Sequence, residues 1–79
     1  MVKVTVYSKN GCGGCSFVKN MLKGEGIEFT EHNIDNEPSA RDYLVSKSVT
    51  SLPYVETSTG ISFTGVQMGK IKEIKNSYK

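Results

Sequence analysis

Two cysteines stand three positions apart in "NGCGGCSF", residues 10–17, and they are the chain's only cysteines. A pair at this spacing fits a structural cross-link, half of a metal site, or a working redox couple. As a cross-link it is weak, because stabilisation by a disulfide grows with the loop it closes and this loop is very short. As a metal site it is short of ligands. Zinc commonly takes four, from two separated pairs, and here one pair is joined by one histidine, His32, and carboxylates. A metal is therefore not expected. The redox reading asks least of the rest of the chain. If Cys12 stands at or just before a helix N-terminus and Cys15 one turn in, the sulfurs come within bonding reach. Free N–H groups and the helix dipole then stabilise a Cys12 thiolate, which is the nucleophilic form. Only Cys12 needs to meet solvent. Lys9 is a candidate for added positive charge. Gly13 and Gly14 let another backbone approach closely and present no side chain to a substrate.

The chemistry that follows is thiol–disulfide exchange. Cys12 attacks a substrate disulfide, and Cys15 resolves the mixed disulfide by forming a Cys12–Cys15 bond. No metal or bound cofactor is required. A second candidate feature is "TSLPY", residues 50–54, where Pro53 directly precedes a strand pattern. Proline cannot donate to a β-ladder, so the position alone is explained by a strand start.

The elements that must carry these residues are legible from periodicity. "VKVTVY", residues 2–7, alternates with Val2, Val4 and Val6 on one face, which predicts a strand. "SKNGCGG" breaks regular structure. From Cys15, Phe17, Val18, Met21 and Leu22 fall at helical spacing, with Gly24 or Gly26 as the stop. "IEFTEHNID", residues 27–35, predicts a second strand through Ile27, Phe29 and Ile34. A second helix follows, with Asn36 as cap, Pro38 in the first turn, and Ala40, Tyr43 and Leu44 buried. Tyr54–Thr57 and Ile61–Thr64 predict a hairpin turning through Ser58 and Gly60. Ile71, Ile74 and Tyr78 mark a third helix. The order is β-α-β-α-β-β-α, a mixed four-stranded sheet flanked by three helices. Each β-α-β crossover is expected to join parallel strands, with the hairpin adding an antiparallel edge.

At 79 residues the chain reads as one domain, 1–79. A net charge of +2 gives no reason to expect a nucleic-acid partner. Lys70, Lys72, Lys75 and Lys79 face one acid, Glu73, and read as a solvated helix face. The first residues lack the apolar core of a signal peptide, and no apolar run approaches the ~20 residues of a membrane span. A cytoplasmic protein is expected, a compartment where a lone C-x-x-C serves catalysis or metal binding more often than structure. Tyr7, Phe63 and Met68 are assigned to the core.

A C-x-x-C beside a β-α-β unit is a thioredoxin-like signal. With the proline segment and the element order, the whole chain resembles the glutaredoxin-like part of the thioredoxin superfamily, and within it the NrdH-redoxins. "VTVYSKNGCGGC" is similar to the family's opening, and "SLPY" to its Thr-Val-Pro segment. "ARDYLVSKSVTSLPYV" and "FTGVQMGKIKEI" are similar to its second helix and closing Trp-Ser-Gly-Phe-Arg-Pro-Asp segment. Phe63 stands where that segment has Trp, Gln67, Met68 and Gly69 where it has Arg-Pro-Asp, and Gly13 and Gly14 where the family usually has Val-Gln.

The resemblance implies a thioredoxin/glutaredoxin-like α/β fold with a cis Pro53 facing the cysteines. It implies that the Leu52 backbone pairs with a bound peptide or glutathione, and that Gly65, Val66 and Gln67 lie beside the cysteine loop. It further implies a monomeric dithiol reductase of protein disulfides such as that of ribonucleotide reductase, recharged by thioredoxin reductase. The alternative donor is glutathione. Classical glutaredoxins grip its amino end with an Asp after a Gly-Gly; here Gly65 is followed by no Asp. Losing that charged contact weakens glutathione by about 1.5–3 kcal/mol, or about 10- to 100-fold. An iron–sulfur cluster shared across a dimer is the remaining alternative, disfavoured by the single exposed thiolate per chain.

Overall fold

Residues 3–77 are described by a computed structural model. Val2, Tyr78 and Lys79, assigned above to the first strand, the last helix stripe and the lysine group, lie outside the described residues. The elements are β1 (Val4–Ser8), α1 (Gly13–Gly24), β2 (Thr30–Asn33), α2 (Pro38–Ser46), β3 (Tyr54–Thr57), β4 (Ser62–Thr64) and α3 (Met68–Ser77). Their order is the expected one, and the strands lie in the sheet as β2-β1-β3-β4.

β1 pairs in parallel with β2, from Thr5 opposite Thr30 to Ser8 opposite Asn33. The second crossover does not follow the expected rule. β3 runs antiparallel to β1, with Tyr7 opposite Tyr54, and β4 pairs antiparallel with β3. The chain therefore leaves β2 and enters β3 at the same end of the sheet, the end where β1 finishes. Parallel pairing is obligatory only when a crossover returns the chain to the opposite end. α2 has nine residues, about 14 Å of helix, and the loop after it closes back on the end it left. This reversal sets Pro53 beside the loop that follows β1. A parallel β3 would start at the far edge of the sheet.

The two faces of the sheet are filled differently. Val4, Val6, Val55 and Phe63 meet Val18 and Leu22 of α1 and Ile71 and Ile74 of α3, all buried. Each such side chain contributes roughly 1.5–3 kcal/mol of burial. On the other face Tyr7 and Tyr54 meet Ala40 and Leu44 of α2, with Tyr43 and Leu52 packed against them. The rings of Tyr7 and Tyr43 stack at 5.5 Å. The Tyr43 hydroxyl donates to both carboxylate oxygens of Glu56, at 3.1 and 2.9 Å, and the Tyr7 hydroxyl donates to one of them at 3.3 Å. Burial, and then the Glu56 charge, push the Tyr7 hydroxyl well above the usual tyrosine range. It stays a donor.

α1 stops where the sequence allows. Gly26 takes a left-handed φ of 73°, the Ile27 N–H donates to Leu22 O, and the Gly26 N–H donates to Lys23 O. Ile27 is buried with Leu22, so the stop is also a packing contact. β2 is shorter than expected, because its ladder to β1 begins only at Thr30, although Ile27 and Phe29 still reach the core.

Three local expectations fail. Phe17 is 50% exposed, since it flanks the stripe led by Val18 and Leu22 and points off its edge. Met68 is 57% exposed, at the first residue of α3, a turn before its buried stripe begins. The cap of α2 is Glu37, not Asn36, and its side chain makes no capping bond but pairs with His32 at 3.0 Å. Tyr7 and Phe63 are core residues as expected.

Candidate functional site

Cys12 is the N-cap of α1, in extended backbone, and Cys15 lies in the first turn, as expected. The Cys15 N–H donates to Cys12 Sγ at 3.1 Å, and the Cys12 carbonyl accepts from Ser16 N–H at 3.3 Å. A thiolate at this position takes the same N–H and the positive end of the helix dipole. The cysteines are joined as a disulfide, with Cα atoms 5.3 Å apart. Cys12 is partly exposed, whereas Cys15 is 1% exposed beneath it. The stripe on α1 explains the asymmetry. Cys15 continues the line of Val18 and Leu22, which the sheet buries, and Cys12 stands before the helix.

Three chain segments meet over the pair. A Cβ at Gly14 would lie 3.4 Å from Pro53 Cδ and 3.5 Å from Val66 Cγ2, in ordinary contact, so Pro53 and Val66 pack beside the cysteine loop. Pro53 is buried, and the Leu52–Pro53 bond is cis, as the resemblance implied. Gly65 adopts φ 76°, and its N–H donates to the Pro53 carbonyl at 2.8 Å, which ties the β4–α3 loop to the proline segment. Val66 is exposed beside this seam. Gln67 is exposed too. Its side-chain amide donates to Thr64 O at 2.8 Å, and its carbonyl receives the N–H groups of Lys70 and Ile71. Gly13 is exposed, and a side chain there would meet nothing within 4 Å. Lys9 and Leu52 line a groove of about 410 Å³ next to the proline segment. A larger, open hollow of about 980 Å³, lined by Lys19, Lys23 and Phe29, holds neither cysteine.

Sequence reasoning missed the polar frame of the β1–α1 loop. The Asn10 N–H donates to Asp35 Oδ2 at 2.9 Å, and the Asn33 side-chain amide donates to Asn10 Oδ1 at 3.0 Å. The Asp35 N–H donates to Asn33 Oδ1 at 2.9 Å, and Arg41 pairs with Asp35 Oδ1 at 3.1 Å. In the sequence Asn10 reads only as part of the break after the first strand, and Asn33 and Asp35 as part of the second strand. Deeper in, the buried Ser8 hydroxyl donates to Glu31 at 2.6 Å, and Lys19 of α1 pairs with the same carboxylate at 2.7 Å. The Lys19 and Ser8 hydrogen bonds hold Glu31 below the usual carboxylate range. Among the described residues no group of three or more His, Cys, Asp or Glu is arranged to hold a metal ion.

The glutaredoxin family model matches residues 4–64. The glutaredoxin-like protein NrdH of Lactococcus lactis is 32% identical over 71 residues, covering 90% of this chain and 97% of that protein. N-acetyl-S-hydroxy-L-cysteine reductase of Bacillus subtilis is 34% identical over 67 residues, covering 84% and 72%. Among solved structures, NrdH-redoxin of Escherichia coli, described as a glutaredoxin-like protein with a thioredoxin-like activity profile, superposes with a TM-score of 0.85 at 26% identity. It covers 91% of this chain and 93% of its own. The chain belongs to the glutaredoxin family, among its NrdH-type members, and is a dithiol thiol–disulfide oxidoreductase.

Proposed function

We propose that the protein reduces disulfides of partner proteins, that of ribonucleotide reductase among them, with Cys12 as nucleophile and Cys15 as resolver. The observation that carries this reading is the unequal exposure of the two cysteines: Cys12 is partly exposed at a helix N-cap, and Cys15 is buried in the first turn. In the cycle the Cys12 thiolate attacks one sulfur of the substrate disulfide and expels the other as a thiolate. Cys15, deprotonated, attacks the Cys12 sulfur and releases the second substrate thiolate. The substrate gains two electrons and takes up two protons as two thiols form, and the protein is left with the Cys12–Cys15 bond.

The substrate chain lies along Leu52 and Pro53, under the lip formed by Gly65, Val66 and Gln67. The open Gly13 admits a folded partner surface. Recharging is by thioredoxin reductase. The segment after Gly65 supplies Val66 and Gln67 where a carboxylate would be needed for the amino group of glutathione. The protein works as a monomer in a reducing compartment, the cytoplasm. Among the described residues no helix is long and apolar enough to cross a membrane.

Electron-donor assays test the reading. The oxidised protein is given either NADPH with thioredoxin reductase, or glutathione with its own reductase, and turnover of a protein disulfide is followed. Sustained turnover with thioredoxin reductase and slow turnover with glutathione is expected. Rapid turnover with glutathione alone would reverse the donor assignment.

A further inference from the structure

The groove beside the proline segment has an apolar floor of Leu44, Val49 and Leu52 and a charged rim of Lys9, Asp35 and Arg41. Two cations on a rim that includes Lys9, three residues before Cys12, would favour any donor thiol that carries carboxylates. The one acid on this rim is placed to counter the second of them, Arg41. Asp35 Oδ1 lies 3.1 Å from Arg41 Nη2, while its other oxygen accepts the Asn10 N–H two residues before Cys12. The carboxylate thus engages the arginine, sets a negative charge on the groove wall, and is held there by the loop that carries the nucleophile.

We infer that Asp35 is a specificity-determining residue: by engaging Arg41 and charging the groove wall, it disfavours anionic thiols such as glutathione as donors to the Cys12–Cys15 disulfide. This rests on the donor preference proposed above and names the residue that enforces it. The reaction concerned is the recharging step, in which two donor thiols are oxidised to one disulfide as the Cys12–Cys15 bond is reduced to two thiols. Asp35 touches no reacting atom. It acts through charge, and through the freedom it denies Arg41.

The decisive quantity is a ratio, kcat/KM for recharging by glutathione over kcat/KM for recharging by the uncharged thiol dithiothreitol. Asp35→Asn keeps a carbonyl oxygen for the Asn10 N–H but removes the charge. It is expected to raise the ratio by about threefold to fivefold, the scale of one exposed charge pair, mainly through KM for glutathione. The gain should fade in about 1 M salt, where the Debye length falls to about 3 Å. Arg41→Gln in the Asp35→Asn background should return the ratio to that of the parent protein. A purely structural role for Asp35 would change both donors alike and would not depend on salt. If Asp35→Asn folds poorly, the intact protein is probed instead with glutathione and its diethyl ester. The parent protein should then use the ester at least as well as glutathione. An unchanged ratio in Asp35→Asn, a gain that survives Arg41→Gln, or a parent protein that clearly prefers glutathione to its ester would overturn the inference. The absolute rate of the parent protein with glutathione tests the donor reading separately, because the ratio can respond to Asp35 whether that rate is high or low.

Discussion

The two faces of the sheet are held by different forces. Beneath α1 and α3 the contacts are mostly aliphatic, with Phe63 and Phe29 the aromatic members, and Cys15 shares the buried stripe that leads to Val18 and Leu22. Beneath α2 three tyrosines join Ala40 and Leu44, and the hydroxyls of Tyr7 and Tyr43 converge on Glu56, with Lys47 Nζ 5.3 Å from the Tyr43 ring centre. Apolar burial is non-directional and scales with area, so the first face seals the resolving cysteine from water. Hydrogen bonds are directional and contribute only about 1 kcal/mol each, so the second face fixes α2 in one orientation with less burial. That face also leaves a groove open along Leu52. One half of the molecule buries Cys15, and the other leaves open the groove beside the proposed path of the substrate chain.

The largest effect that sharpens this contrast is expected at the junction of the halves. Cys12→Ser should abolish disulfide reduction, while Cys15→Ser should keep the first exchange and accumulate mixed disulfides with a substrate, read by mass spectrometry without reductant. Next comes the apolar face. Leu22→Ala should cost about 2–5 kcal/mol in denaturant unfolding, the range for a buried leucine whose cavity cannot fully collapse. On the other face Tyr43→Phe keeps the ring stack and removes one donor to Glu56. It should cost only about 1 kcal/mol in the same measurement. Equal losses from the two substitutions would break the contrast.

The smallest effect is a pH dependence at the β1–β2–α1 junction. Glu31 has its pKa lowered in the folded protein, by Lys19 first and Ser8 second. A depressed carboxylate contributes stability that is present above the unfolded value, near 4.5, and is lost as pH falls through the folded value. Glu31→Gln should therefore flatten the acid limb of the unfolding midpoint below about pH 4.5 and leave the slope near neutrality unchanged.

Much of this was legible in the sequence because it is local. The alternation of Val4 and Val6, the spacing of Val18 and Leu22, and the pair Ile71 and Ile74 each report one element burying one face. The cysteine pair is legible for the same reason, since a helix start fixes the geometry of residues three apart. The direction of β3 was not legible. It depends on which end of the sheet the loop after α2 reaches, and periodicity says nothing about that. The resemblance supplied the position of Pro53, which the residues alone explained as a strand start. The frame of Asn10, Asn33, Asp35 and Arg41 was hidden because it joins polar side chains from separate segments, which read by themselves as a break, a strand end and a helix. Phe17 and Met68 were misjudged because their apolar character suits a partner-facing surface as well as a core.

The proposed mechanism requires Cys12, not Cys15, to carry the accessible, activated sulfur. Alkylation of the reduced protein with iodoacetamide across a pH series, with the modified cysteine identified by peptide mass spectrometry, tests this most directly. Cys12 should be modified rapidly, with an apparent pKa below the ~8.5 of a free cysteine, while Cys15 stays unmodified in the folded protein. Equal labelling of the two cysteines, or faster labelling of Cys15, would contradict the assignment.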